Sequence, residues 1–366
     1  MMTRQLAAAS LFVAGALATP AVAQVEVALA IPATGGQIAA LGAQARLGAE
    51  AAVEAINARG GVRGQKLVLR VVDDQCDPRV AVNAANQIVS RGIKFVLGHL
   101  CSGASIAASK VYEEEGIVML TGSATAPELT ERAMVMIFRA CGRDDQQGHV
   151  GARFAIERLQ PKRIAVVHDK QVYGKGLADK ADSVFREAGL IPALSATITA
   201  GERDFSSLVT RLKQENIELV YFGGYHTELG LLVRQARLGG VDARFVAGDG
   251  LSSDEFWTLA GEGAAGTLFT FSPDPRSSDA GRPVYEELRK KGDPDNFAFY
   301  YYAAAQVLAD AIAKAGPVPE SVATVLRTQS FDTVVGKLEF DRKGDLKDPK
   351  YVVYEWADGK YAPSRR

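Results

Sequence analysis

Two hydroxyl-bearing turns carry the chemistry most readily read from this chain. A β-branched and aromatic run, Lys94 to Leu100, stops at Cys101-Ser102-Gly103, and a small-residue helical pattern from Ala104 to Glu115 follows at once. A strand feeding a helix N-terminus leaves backbone N–H groups unpaired beside a partial positive charge, an arrangement that accepts a carboxylate or phosphate. A second apolar run, Ile117 to Leu120, ends in Thr121-Gly122-Ser123-Ala124-Thr125-Ala126-Pro127 and adds hydroxyl and N–H donors beside the first set. The same residues are equally consistent with ordinary strand-to-helix turns, whose Ser and Thr cap helices and touch nothing else.

Further along, polar residues again fall just past predicted strands. Tyr173 follows the strand ending at His168, Tyr225 follows the strand ending at Phe222, and Asp249 follows Val246-Ala247-Gly248. A tyrosine offers an apolar face with a hydroxyl, and a carboxylate with no basic neighbour in sequence is free to meet an ammonium group. Each of these residues alone is more often structural, but their joint placement suits a small zwitterion.

Catalytic patterns are missing. The chain has no GxSxG, Walker A, post-strand GxGxxG or HExxH motif, which removes the enzyme classes most legible in sequence. Its four histidines, His99, His149, His168 and His226, stand at unrelated spacings. His168-Asp169 invites comparison with an acid–base pair, yet no nucleophile accompanies it in the pattern, so a polar strand end is the expectation.

The elements that position these residues alternate. Strands are predicted at Val25–Ile31, Lys66–Asp74, Lys94–Leu100, Ile117–Leu120 and Met134–Ala140, with helices at 42–59, 78–91 and 102–115 between them. A second series follows Cys141: helices at 146–159, 174–188, 205–216 and 228–238, and strands at 163–168, 219–222, 244–247 and 267–271. Repeated βαβ units imply parallel sheets covered by helices, with ligands outside the carboxyl ends of the strands. Helices at 283–290, 296–315 and 318–328 and hairpin-like strands near 334–340 and 351–356 are too little for a third domain. They are expected to complete the first lobe and cross back.

Residues 1–23 have the form of a signal peptide: Arg4, an apolar run from Leu6 to Leu17, and Ala21-Val22-Ala23 before Gln24. No later run approaches the roughly 18 apolar residues of a membrane helix, so an exported, diffusible protein is expected. The remaining chain, of about 340 residues, suits two domains. With 42 basic and 43 acidic residues and no basic stripe, nucleic acid and anionic membranes are poor partners. Among the three cysteines, Cys76 and Cys101 each follow a strand; if those strands are neighbours, both reach one sheet edge and form a disulfide suited to an oxidising compartment. Cys141 is left as a buried thiol. No zinc-ligand spacing is present.

GHLCSGAS, TGSATAPELT, VVHDKQVYGKGLA, GGYHTELG and the terminal DRKGDLK resemble the periplasmic leucine/isoleucine/valine-binding proteins of ABC transporters, and the likeness runs in order along the chain after residue 23. The resemblance implies an α/β, type I periplasmic binding fold, with two Rossmann-like lobes joined by a three-crossing hinge. Lobe 1 would be 24–143 plus 273–352, and lobe 2 144–272 plus 353–366. It implies no cofactor, a periplasmic monomer, and an amino-acid ligand passed to an inner-membrane permease. The ligand carboxylate would meet Ser102, Ser123 and Thr125, the ammonium Asp249 and Tyr225, and Tyr173 would close from the second lobe. Leu41, Leu100, Cys101, Ala124 and Phe299 would complete the wall, and Cys76 and Cys101 match the family's disulfide. Leu41 stands where the family often has an aromatic residue, and Asp249 where it often has Glu. Alternatives are the same fold binding an aromatic acid or urea-like solute, an exported enzyme using His168, Asp169 and Tyr173, and a sensory module, which would require a membrane segment.

Overall fold

The computed structural model describes residues 24–34 and 38–365. The signal peptide expected at 1–23 lies outside the described residues. Strands β1 (Gln24–Ile31), β2 (Lys66–Asp73), β3 (Phe95–Gly98), β4 (Val118–Thr121) and β5 (Ile137–Arg139) form a parallel sheet in the order β2-β1-β3-β4-β5. Helices α1 (Ala39–Ala58), α2 (Pro78–Ser90) and α3 (Ser102–Glu114) connect them. The strands β3 and β4 are wholly buried and apolar but for Thr121 at the end of β4, as sheets covered on both faces require.

After β5 the chain enters α4 (Asp144–Phe154) and a second sheet. That sheet contains β6 (Ile164–His168), β7 (Leu194–Thr197), β8 (Leu219–Gly223), β9 (Arg244–Ala247) and β10 (Leu268–Phe271), all parallel. Helices α5 (Val172–Glu187), α6 (Ser206–Gln214), α7 (His226–Leu238) and α8 (Glu255–Ala260) link these strands. The chain then returns to the first sheet through α9 (Gly281–Leu288), α10 (Asn296–Ala315) and α11 (Pro319–Thr328) and forms a hairpin, β11 (Ser330–Thr333) with β12 (Gly336–Glu339). Finally β13 (Val352–Ala357) and β14 (Lys360–Pro363) add antiparallel strands to the second sheet. The chain thus passes between the lobes three times. The first and last passages are tied together at Asp345, which forms an ion pair with the buried Arg139 at 2.7 Å and accepts a hydrogen bond from Arg143 Nη1 at 2.7 Å.

Helix α10 is buried nearly all round and packs along α1, consistent with its largely apolar sequence. Contact is backbone-close at Gly48, where an added Cβ would sit 1.8 Å from the Ala298 carbonyl oxygen. Asp295 caps this helix by accepting from Ala298 N–H.

The structure corrects several expectations. Cys76 and Cys101 are bridged, with Cα atoms 5.5 Å apart, but their strands are not neighbours: β1 lies between β2 and β3. The link therefore spans the end of the central strand. Strand β3 ends at Gly98, because His99 leaves the ladder to meet Asp74 at 2.6 Å and the Tyr112 hydroxyl at 2.9 Å. Strands β7 and β14 and helix α8 are absent from the sequence reading. The first two are edge strands with exposed polar positions, and α8 is too short to show a period. Cys141 is a buried free thiol, and burial pushes its pKa up.

Candidate functional site

The first wall of the interlobe cleft is built at the ends of β3 and β4. Cys101 has extended backbone at the N-cap of α3, where no side chain caps the first turn. Ser102, 2% exposed, accepts from the Ala126 N–H at 3.2 Å. Ser123 Oγ donates to the Leu100 carbonyl at 2.9 Å and lies 3.1 Å from the Tyr301 hydroxyl. Thr121 Oγ1 donates to the His99 carbonyl and accepts from the Ser123 and Ala124 N–H groups at 3.2 and 3.1 Å. Those two N–H donors, expected to face an anion, are thus spoken for within the turn. Thr125 Oγ1 is buried with no partner among the described residues.

The second wall rises from β6, β8 and β9. Helix α5 presses against the end of β8 so closely that a Cβ at Gly223 would lie 1.8 Å from the Gly174 carbonyl oxygen. This approach sets Tyr173 beside Tyr225, with ring centroids 5.1 Å apart. Tyr173 donates its hydroxyl proton to Asp249 Oδ1 at 2.8 Å and accepts from Gly250 N–H at 3.1 Å. Asp249 is 7% exposed, and burial raises its pKa to about 7, against the lowering pull of the Tyr173 hydroxyl and the Gln147 amide. A second acid, Asp144 at the start of α4, is fully buried with neither carboxylate oxygen hydrogen-bonded among the described residues. Burial and the nearby Asp249 charge hold its pKa well above the usual carboxylate range.

Six expected residues meet around one cavity: Leu100, Ser102, Ser123, Tyr173, Tyr225 and Asp249. Gly250 and Phe297 complete its lining, and the free volume is about 10 Å³, room for a single water. Five expected residues are not brought to that lining. Leu41 is fully buried in the core. Cys101 is held in the disulfide, and the Ala124 carbonyl is committed to Arg139 Nη1 at 2.7 Å. Thr125 sits deeper, beside Asp144. Phe299 is fully buried too; two residues along a helix is a rotation of about 200°, so Phe297 faces the cleft and Phe299 the core. Phe297, Gly250, Asp144 and Gln147 escaped the sequence reading. The one available signal was the position of Phe297 in the first turn after a capping Asp, at the cleft end of α10.

The arrangement has a neutral hydroxyl edge opposite a buried carboxylate, and no paired catalytic groups. His168 Nδ1 accepts from Lys170 N–H and Asp169 Oδ1 from Gln171 N–H, so these two residues act in turns. No cluster among the described residues could hold a metal ion. A family model described as periplasmic binding protein matches residues 24–360. The chain belongs to that family. Its fold is the type I periplasmic binding arrangement, and it is a solute-binding protein rather than an enzyme. It is 44% identical over 345 residues to "Leu/Ile/Val-binding protein homolog 1" of Brucella abortus (strain 2308), covering 93% of each chain. It is also 44% identical to the "Leucine-, isoleucine-, valine-, threonine-, and alanine-binding protein" of Pseudomonas aeruginosa, covering 91% of this chain and 90% of the relative. The crystal structure of a branched-chain amino acid transporter substrate-binding protein from Streptococcus pneumoniae, in complex with isoleucine, superposes with a TM-score of 0.85 at 26% identity. The match covers 92% of this chain and 97% of that one.

Proposed function

We propose that this periplasmic binding protein captures an aliphatic, branched-chain L-amino acid between its lobes and delivers it to the permease of an ABC importer in the inner membrane. The observation that carries this reading is the meeting of Asp249 with Ser102 and Ser123 in one cavity. A desolvated carboxylate without a cationic partner is costly, and a ligand ammonium supplies that partner. Its carboxylate then falls to the hydroxyls of Ser102 and Ser123 and the uncapped first turn of α3. Tyr173, now donating to Asp249, gives way to or shares the acid with the incoming ammonium. Phe297, Leu100 and Tyr225 offer the apolar surface that an aliphatic side chain needs. The small free volume supports entry by opening of the lobes, the hinge motion of periplasmic binding proteins.

The lobes divide as 24–143 with 273–352 and 144–272 with 353–366, the protein is a monomer, and cleavage after Ala23 releases it into the periplasm. A thermal screen of the standard amino acids tests the reading. Leucine, isoleucine or valine at about a hundred times Kd is expected to stabilise the fold by roughly 2.7 kcal/mol. Their amides and N-acetyl derivatives are expected to do nothing. No shift with any amino acid at millimolar concentration would exclude it.

A further inference from the structure

Beside the cleft lies a larger cavity, with about 170 Å³ of free volume, whose walls also come from both lobes. It is a neighbour of the first: Gly250 and Phe297 face the cleft, while Asp254 and Asp295, a few residues away on the same two stretches, face this second space. Asp295 is 9% exposed. Its Oδ1 caps α10, but its Oδ2 is buried with no hydrogen-bond partner among the described residues. The Tyr361 hydroxyl, on β14 of the opposite lobe, is likewise buried and unpartnered there, and it lies within the field of Asp295. The Ser252 hydroxyl is also near Asp295.

The charges on this cavity favour a cation. Asp254, Asp293 and Asp295 all line it; burial raises the pKa of Asp254 and of Asp295, with the Asp293 charge adding to the first and the Asp254 charge to the second. Two bases also line it. Arg276 is already committed to Asp274, with Nε 2.9 Å from both carboxylate oxygens. Lys360 is exposed, and it and Arg276 both pull the pKa of Asp254 down, against burial and Asp293. A metal is a poor occupant, since the described residues hold no cluster of His, Cys, Asp and Glu fit to ligate one. We propose that this cavity is a second binding site, separate from the amino-acid cleft, for a small organic cation bearing a primary ammonium group. The Asp295 Oδ2 atom and the Tyr361 hydroxyl receive that ammonium, and Asp254 receives a second if the molecule carries one. Because the walls belong to both lobes, an occupant favours the closed arrangement, and binding at the two sites is reciprocally coupled.

Calorimetry with 1,4-diaminobutane decides the matter. Saturable binding is expected both in ligand-free protein and in protein saturated with leucine, with about fivefold tighter leucine binding when the diamine is present. Butan-1-ol, which lacks the ammonium, is expected not to bind. Asp295→Asn keeps a helix-capping side chain and should abolish the diamine heat while circular dichroism and leucine affinity stay unchanged. Absence of diamine binding, competition between diamine and leucine, or full diamine affinity in Asp295→Asn would each overturn the proposal. The ligand-free titration is read without leucine, so failure of leucine to bind would count against the amino-acid reading alone.

Discussion

The two walls of the cleft solve the same problem in opposite ways. The wall from the five-stranded sheet offers neutral groups already engaged with their own backbone: Ser123 with Leu100, Ser102 with Ala126, Thr121 with its turn. It is also stapled, since Cys101, next to Ser102, is bridged to Cys76. The wall from the seven-stranded sheet carries a buried acid whose Oδ1 receives a tyrosine hydroxyl. Neutral donors can be fixed in advance at little cost because each is satisfied by a backbone group. A charge cannot be satisfied so cheaply in a dry site. On the proposed reading, the first wall therefore supplies geometry and the second supplies most of the free energy of recognition.

The strongest way to break this contrast is Asp249→Asn, which keeps the size and one acceptor while deleting the charge. Leaving an ammonium unpaired in a closed site costs about 3–5 kcal/mol, or roughly two to three and a half powers of ten in affinity. Calorimetric affinity within threefold of the parent would place the ammonium elsewhere. Next in size is the staple. Replacing both Cys76 and Cys101 by Ala opens a loop with a sequence separation of 25 and should cost about 3 kcal/mol of stability by chain entropy. Urea denaturation reads this, and an unchanged midpoint would mean that the first wall holds its form by hydrogen bonds alone.

Titration sharpens the contrast further. With its pKa raised from 3.8 to about 7, Asp249 in the free protein takes up a proton that the ammonium must displace. Affinity should hold above pH 7 and fall below it by up to about tenfold per pH unit, with proton release on binding. In the ligand-free protein the sign reverses. The folded state binds the extra proton, so this acid's contribution to stability is full below its unfolded pKa and is lost as pH rises through about 7. Asp169 and Asp295, also raised to about 7 by burial, add in the same direction. A pH-independent affinity between 5 and 8 would show that Asp249 is already ionised in the free protein. The smallest effect is expected from Ser123→Ala, on the neutral wall. It removes a buried hydroxyl from Leu100 and Tyr301, at about 1–2 kcal/mol of stability, and lowers affinity by less than tenfold. A larger loss than for Asp249→Asn would invert the assignment of the two walls.

How much of this was legible depends on the range of the forces involved. Strand β8, LVYFG, and helix α10 announce themselves because an unbroken apolar run or a capped apolar helix has few other folds available. Strand β7, LSAT, at a sheet edge with alternate residues in solvent, carries almost no such signal. Tyr173, Tyr225 and Asp249 were found because strand ends are local features and the cleft forms where they point. Phe297 was passed over for Phe299 because two phenylalanines on one helix are told apart only by which side faces the partner lobe.

By itself the sequence determined the alternation of strands and helices, the two lobes and the polar residues at their strand ends, since hydrophobic period and turn chemistry act over a few residues. Only the tertiary structure decided that β1 lies between the strands bearing Cys76 and Cys101. It also decided that Thr121 takes up the N–H groups of Ser123 and Ala124, and that Tyr173 shares its proton with Asp249. Strand order, hydrogen-bond partners and the burial that raises a carboxylate's pKa are properties of distant segments brought together. No local pattern encodes them, because each depends on which surfaces are left dry once the two sheets and the returning helix have packed.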